Sequence, residues 1–462
     1  MESVEEERQV RTEAITEQAR ILRAQWPTLL RRLRQIPDPR QPKKVKHALT
    51  SLMLYGILTF VLHYSSRREA NKEITRPQFE QNLLALFPEL ESLPHADTLF
   101  RLLRDLGSDV EQIEQAQVEL LNQLIRKKKF KRYLINNCYP IAIDGSRKIT
   151  CSDLWSDKLL QQRIPGPQGE DEKRYQYYVY VLEASLCFHN GMVIPLMSQF
   201  LDYQQGDTER DKQDCETRAF HRLAKRIKKA FPRLPIMLLL DGLYASAPVM
   251  CRCRRYHWQF MIVLQEKCLS TVWEEYRSLL SHQPSNQHQQ QWGKRQQHFR
   301  WINDIRYEYG TNARQYLNLH LVVCQEQWQA VDQQGQTVTQ HATHAWISSR
   351  SLQRENVHAR CNLGARYRWG IEAGFLVEKH QGYHYEHAFA KEWNAMRGYH
   401  YLMRLAHFLN TLARYASTLA AQFRDLGVRG FIRFVRETYS GPWLNANEVT
   451  LRMQRAFQLR FT

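Results

Sequence analysis

Tyr139-Pro140-Ile141-Ala142-Ile143-Asp144-Gly145 and Pro235-Ile236-Met237-Leu238-Leu239-Leu240-Asp241-Gly242 share one pattern, a run that is apolar on both faces and ends in Asp-Gly. A strand reads this way when helices cover both sides of a parallel or mixed sheet. Each Asp is then expected at its strand's exit, where the backbone turns sharply. Either one alone is better explained as a cap for the next element. Together they are more informative, because two carboxylates at like strand ends can share a cation.

The surrounding pattern supplies an order for these strands. Tyr175 to Phe188 and Met192 to Leu201 are strand-like, a Lys- and Arg-rich helix is predicted over 210–231, and a further helix and the strand Phe260 to Leu264 follow Asp241. In a β-β-β-α-β-α-β mixed sheet the first strand lies beside the fourth, so both Asp meet at one edge. That is the topology of an α/β, RNase H-like core, which needs a third acid from a later helix. The candidate lies in Arg366-Tyr367-Arg368-Trp369-Gly370-Ile371-Glu372-Ala373-Gly374-Phe375-Leu376-Val377-Glu378-Lys379. At about 100° per residue, Arg368, Glu372 and Lys379 project from one helical face, two cations around one acid. A scissile phosphate held beside a metal suits such a face. The plainer alternative is an exposed ion-pair ladder.

These residues resemble the DDE transposases of bacterial insertion sequences, specifically the cut-and-paste group with a Y-x-x-R-x-x-x-E-x-x-x-x-x-x-K signature. Arg368, Glu372 and Lys379 match in type and spacing, and Trp369 and Ile371 match common neighbours. The signature tyrosine is missing: Ala365 holds its place, and Tyr367 is the nearby tyrosine. The resemblance also runs through Lys212-Gln213-Asp214-Cys215-Glu216, the strand before Asp241 and Gly382-Tyr383-His384-Tyr385-Glu386-His387, covering roughly residues 40 to 415. It implies Asp144, Asp241 and Glu372 as catalytic ligands of two Mg²⁺ ions, with Mn²⁺ able to substitute, and Arg368 and Lys379 as phosphate grips, with Tyr367 a further DNA contact. It further implies a β-rich insertion between the second Asp and the Glu, with an aromatic that stacks on a flipped base. Trp292 and Trp301 are the candidates, although ordinary hairpin core is the plainer reading of each.

Composition agrees with a polyanionic partner. The 462 residues include 65 Lys and Arg against 47 Asp and Glu, a formal charge of +18. With 43% hydrophobic residues the chain is not disordered throughout. Ala48 to Leu62, the most apolar stretch, is too short to cross a bilayer and reads as a buried helix. The acidic N-terminus lacks the features of an export signal, so a cytoplasmic, nucleoid-associated location is expected. Nine Cys without a C-x-x-C pair suit neither a disulfide framework nor a zinc ribbon. His380, His384 and His387 could imitate a metal set, but Gly382 interrupts them and packing or DNA contact is favoured.

Five regions are expected. Residues 1–135 form a helical N-terminal DNA-binding region, in which Asp97 or Thr98 caps a helix and Val45 to Leu106 recognises the transposon end. Residues 136–265 hold the first part of the catalytic core, 266–346 the β-rich insertion with a Gln-rich loop at 283–297, 347–400 the second part with the Glu helix, and 401–462 a basic helical C-terminal region. From Lys391 onward 11 Lys and Arg face four acids. Lys127, Lys128 and Lys129 belong to a run of six cations in seven residues, a solvated face that can also meet phosphates.

The expected function is cleavage of transposon-end phosphodiesters and joining of the 3′-hydroxyls to target DNA. The partners are double-stranded DNA with terminal inverted repeats, target DNA and a second copy of the chain in the DNA complex. Alternatives are a transposase-derived DNA-binding or nuclease protein without transposition, and a nucleotide-dependent α/β enzyme. The last is weakest, since neither G-x-G-x-x-G nor G-x-x-x-x-G-K-[ST] follows a predicted strand.

Overall fold

The computed structural model describes residues 3–164, 174–203, 215–310 and 315–462. Lys212, Gln213 and Asp214 of the motif before Asp241 lie outside the described residues. Seven helices come first: α1 (Val4–Arg23), α2 (Trp26–Leu33), α3 (Leu49–Val61), α4 (Arg67–Ile74), α5 (Pro77–Leu86), α6 (Ala96–Asp105) and α7 (Glu111–Arg126). The expected buried helix at Ala48 to Leu62 is α3, apolar on every side and buried almost throughout. The cap of α6 differs from expectation: the His95 side chain accepts from the Asp97 amide, and Asp97 lies inside the first turn.

A ten-stranded mixed sheet follows. Its first part is β1 (Tyr139–Cys151), β2 (Leu160–Ile164), β3 (Arg174–Cys187), β4 (Val193–Phe200), α8 (Glu216–Ala230), β5 (Ile236–Leu240), α9 (Ala247–Tyr256) and β6 (Gln259–Val263). Strand β1 pairs antiparallel with β3 and parallel with β5; β5 pairs parallel with β6, and β4 pairs antiparallel with β3. The edge strand β2 was not expected. Asp144 also departs from its expected place. It is not at a strand exit, because β1 continues to Cys151 with Asp144 opposite Glu183 of β3.

After α10 (Ser270–Leu279) come β7 (Gln287–Trp292), β8 (Arg295–Tyr309), β9 (Gln315–Val331) and β10 (Thr337–Ser348). They extend the same sheet, β10 pairing antiparallel with β6. The Gln-rich stretch expected as a loop supplies β7, whose backbone pairs with β8 and whose glutamines bond across the strands, Gln290 donating to Gln297 at 2.7 Å. The β9–β10 hairpin turns at Asp332 to Gly335 as expected: Asp332 accepts from the Gln334 and Gln336 amides, and Gly335 takes φ 80°.

The chain closes with α11 (Gly370–His380), α12 (Trp393–Tyr415), α13 (Ala420–Ser440, broken at Gly427) and α14 (Ala446–Gln454). Helix α12 is the central post of the helical layer, buried along nearly its whole length. It meets α3 at Gly56, where an added Cβ would come within 2.7 Å of Leu402 and 2.8 Å of Leu99. Helix α13 returns to α1, with Arg11 donating to Thr438 at 2.9 Å. Among the described residues no helix is long and apolar enough to cross a membrane. Because Gly56 has no spare room, Gly56→Val is expected to destabilise the fold by about 1–3 kcal/mol, read as a lower urea midpoint at unchanged slope. An unchanged midpoint would mean that α12 can shift to accept a side chain.

Candidate acidic cleft

Apolar burial sets the first two acids. Ile236 to Leu240 are 0% exposed, as are Ile141, Ala142 and Ile143. The parallel ladder pairs Ile141 with Leu238 and Ala142 with Leu239. Continued by two residues on each strand, the same register brings Asp144 beside Asp241. Strand β5 ends there, and the Asp241 carboxylate accepts from the Leu243 amide at 3.0 Å to start a single helical turn. Asp144 accepts from the Gly145 amide at 2.9 Å.

Glycine at 145 is required by crowding. A Cβ there would stand 2.6 Å from the Tyr180 hydroxyl and 2.9 Å from the Glu216 carboxyl carbon. Glu216, the first residue of α8, accepts from Tyr180 and from the buried Tyr244, the latter at 3.1 Å. Tyr180 lies on β3 and Tyr244 in the turn after Asp241, so this acid ties the backbone on both sides of the Asp pair. In the sequence Glu216 stands out only as the end of the motif before Asp241. Its two tyrosine partners are distant in the chain, and no local spacing could have found them.

The third acid arrives through Arg368. This residue is 5% exposed, and its guanidinium lies 2.8 Å from Glu372 and 3.9 Å from Asp144. Residues Ala359–Gly364 are π-helical and Ala365–Trp369 3₁₀-helical, so Arg368 precedes α11 instead of riding on it. Arg368 also stacks on Trp369, at 4.5 Å, whose indole is 62% exposed at the lip of the cleft. Lys379 is on α11 but turns to Glu386, at 3.0 Å, and away from Glu372.

A cleft of about 950 Å³ opens here, lined by Asp241, Glu372, Tyr367, Arg368, Trp292 and Arg366 among others. Arg366 lies over Trp292 at 4.9 Å and Trp346 at 5.6 Å. Trp301 is elsewhere. It is 3% exposed within the core, so no base can stack on it, whereas Trp292 borders the cleft. The basic run lies beyond the N-terminal end of β1, away from the acids. Lys127 and Lys128 are exposed, Lys129 donates to the Leu459 carbonyl at 2.6 Å, and Phe130 packs between Phe188 and Phe461. His387 accepts from the Phe389 amide at 3.1 Å and packs on its ring, as a structural residue does.

Burial pushes the Asp144 carboxyl up to about 6; the Gly145 amide and Arg368 oppose the shift, while the charges of Asp241 and Glu372 add to it. Three hard oxygen donors that repel one another suit a divalent cation such as Mg²⁺ or Mn²⁺ better than zinc. Arg368 lies between two of them, and among the described residues no three Asp, Glu, His or Cys side chains are grouped so as to hold a metal ion.

The molecule is thus a mixed α/β fold with an acidic, guanidinium-lined cleft. Residues 30–120 match the family model described as DDE_Tnp_1-associated, which indicates a DDE-type transposase family through the helical N-terminal part. No curated protein matches the chain.

An acid whose pKa rises on folding favours the fold below its ordinary value of 3.8 and loses that contribution as the pH climbs through about 6. Asp144→Asn is therefore expected to gain on the order of 1–3 kcal/mol at pH 7 relative to the parent, and the gain should vanish near pH 4. Unfolding melts at both pH values check this; equal midpoints at pH 7 would show that Asp144 is not strained.

Proposed function

We propose that the protein is a DDE transposase with an RNase H-like core, of the insertion-sequence group with the Y-R-E-K signature. It cleaves transposon-end phosphodiesters and joins the 3′-hydroxyl ends to target DNA. The observation that carries this reading is the apposition of Asp144 and Asp241 on neighbouring parallel strands, with Glu372 joined to Asp144 through Arg368. The strand order β4-β3-β1-β5-β6 supports the RNase H-like assignment, since the three antiparallel strands and two parallel additions are those of that core. The family match in the helical part is independent support.

Asp144, Asp241 and Glu372 would hold two Mg²⁺ or Mn²⁺ ions, which would supply charge neutralisation at the scissile phosphate and activation of the attacking oxygen. The protein's own part is positioning. Arg368, released from Asp144 and Glu372, offers its fork to a phosphate. Trp369 and Trp292 present aromatic surface to an unstacked base, with Arg366 behind Trp292. Tyr367 lines the same cleft. Lys379 adds positive charge once Glu386 yields it, and Lys127, Lys128 and the C-terminal Arg residues hold DNA further off. The substrate is double-stranded DNA with terminal inverted repeats, bound by a homodimer in the cytoplasm and nucleoid.

With Mg²⁺ and a duplex carrying the element's own ends, the purified protein is expected to cut strands. Asp241→Asn should bind that duplex with parental affinity and cut it at least about 100-fold more slowly. A variant that cuts as fast as the parent removes Asp241 from the site; a parent that binds and never cuts favours the DNA-binding alternative. Joint replacement of Lys127 and Lys128 by Ala should reduce the slope of log K against log salt by about 0.9 per lost phosphate contact. An unchanged slope assigns those lysines to solvent.

A further inference from the structure

Beneath the acidic cleft lies a group of charges that the proposed chemistry does not use. Arg404 of α12 is 4% exposed and carries a carboxylate on each arm. One arm donates to Glu378 at 2.9 Å, and the other lies 3.1 Å from Glu183. Both acids are 0% exposed. Glu183 is the register partner of Asp144 on β3, and Glu378 lies in α11 with Glu372. A single guanidinium thus joins the rung that carries the first acid to the helix that carries the third.

Further polar groups surround the two acids. His407 bonds Glu378 at 2.6 Å; His400 lies 3.2 Å from Glu183, which also accepts from the Ser198 hydroxyl at 2.6 Å. Lys148, farther along β1 than Asp144, is buried and donates to the Tyr385 carbonyl at 2.8 Å. Hydrocarbon of the same volume often serves stability as well as or better than such a buried network. What a buried fork does that hydrocarbon cannot is set the separation and orientation of two carboxylates. Glu378 follows Glu372 by six residues, about 240° around the helix and about 9 Å along it. Holding Glu378 inward therefore turns Glu372 toward the cleft.

We propose that Arg404 is a positioning residue for the acidic site, setting the distance and roll of the Glu372 helix against the Asp144 rung. The proposal rests on the reading of Asp144, Asp241 and Glu372 as cation-holding acids. It separates geometry from fold: a lysine at 404 keeps the charge but reaches only one carboxylate at a time, and Glu378→Gln keeps the shape but loses half of the ionic bridge.

The test compares the full-length parent, Asp241→Asn, Arg404→Lys and Glu378→Gln by thermal unfolding, DNA binding, DNA-free Mn²⁺ binding followed by paramagnetic resonance of the free ion, and strand cleavage, all below the lowest unfolding midpoint. Arg404→Lys is expected to fold and bind DNA within about twofold of the parent while losing about 10–100-fold in Mn²⁺ affinity and in cleavage, with Glu378→Gln changing in the same direction. Parental Mn²⁺ affinity and cleavage in a folded Arg404→Lys would overturn the proposal alone. A parent that binds no Mn²⁺ would overturn the reading of the acids, and this proposal with it. If neither variant folds, the bridge serves stability and the positioning role falls.

Discussion

The parallel pairing of β1 with β5 is the constraint on which the acidic cleft depends. Side chains alternate along a strand, so a slip of one residue would send Asp144 or Asp241 to the opposite face. Hydrocarbon holds the register, since the residues before each Asp are fully buried on both faces. A slipped strand would push a carboxylate into that hydrocarbon, at a desolvation cost of several kcal/mol. Two short apolar runs, Ile141 to Ile143 and Ile236 to Leu240, therefore decide where two charges stand, although no residue in either run has a polar side chain.

Charge accumulates on both sides of that pair and is balanced differently on each. Above, burial of Asp144, helped by the charges of Asp241 and Glu372, outweighs the Gly145 amide and Arg368 and raises its carboxyl to about 6. Below, solvent is absent and balance must be local: Glu183 and Glu378 face Arg404, with Lys148, His400 and His407 around them. Glu216 is a third arrangement, a carboxylate held by two tyrosine hydroxyls. Asp241 and Glu372 line the open cleft, whereas Glu183 and Glu378 are 0% exposed.

What could be read from the chain follows from how each element is stabilised. The starts of β1 and β5, together with β3, β4 and β6, show the two-residue period or continuous apolar run of buried strands, and α3 shows unbroken hydrocarbon. The continuation of β1 past Asp144-Gly145 was hidden because Asp and Gly are poor strand residues, and the reason for them lies in Tyr180 and Glu216, far along the chain. Strand β7 was hidden because glutamine offers no apolar alternation and its ladder is made by backbone and amide bonds. In the cleft, the type and spacing of Arg368 and Glu372 were legible, while the turn of Lys379 toward Glu386 was not. His400, Arg404 and His407 did leave a trace, since their spacing puts them on one side of α12, but polar residues in a basic chain read more readily as DNA contacts than as core.

The far wall of the cleft is joined to the near wall by the same kind of buried ion pairing. Glu326 of β9, whose side chain is 0% exposed, binds Arg295 of β8 at 2.8 Å and also Arg366, two residues before Arg368. Arg295 in turn lies over Trp328 at 3.9 Å, and Arg366 over Trp292 and Trp346. The strands β7 to β10 therefore do not hang from the core by a linker. They share its sheet through β10 and β6 and share a buried carboxylate with the segment that delivers Glu372. Ladder hydrogen bonds and a desolvated ion pair both resist opening, so the separation between the Trp292 wall and the acids is set by the sheet's own twist. The cleft is therefore a preformed slot, with the exposed Trp369 indole at its lip and Arg366 held in place by Glu326.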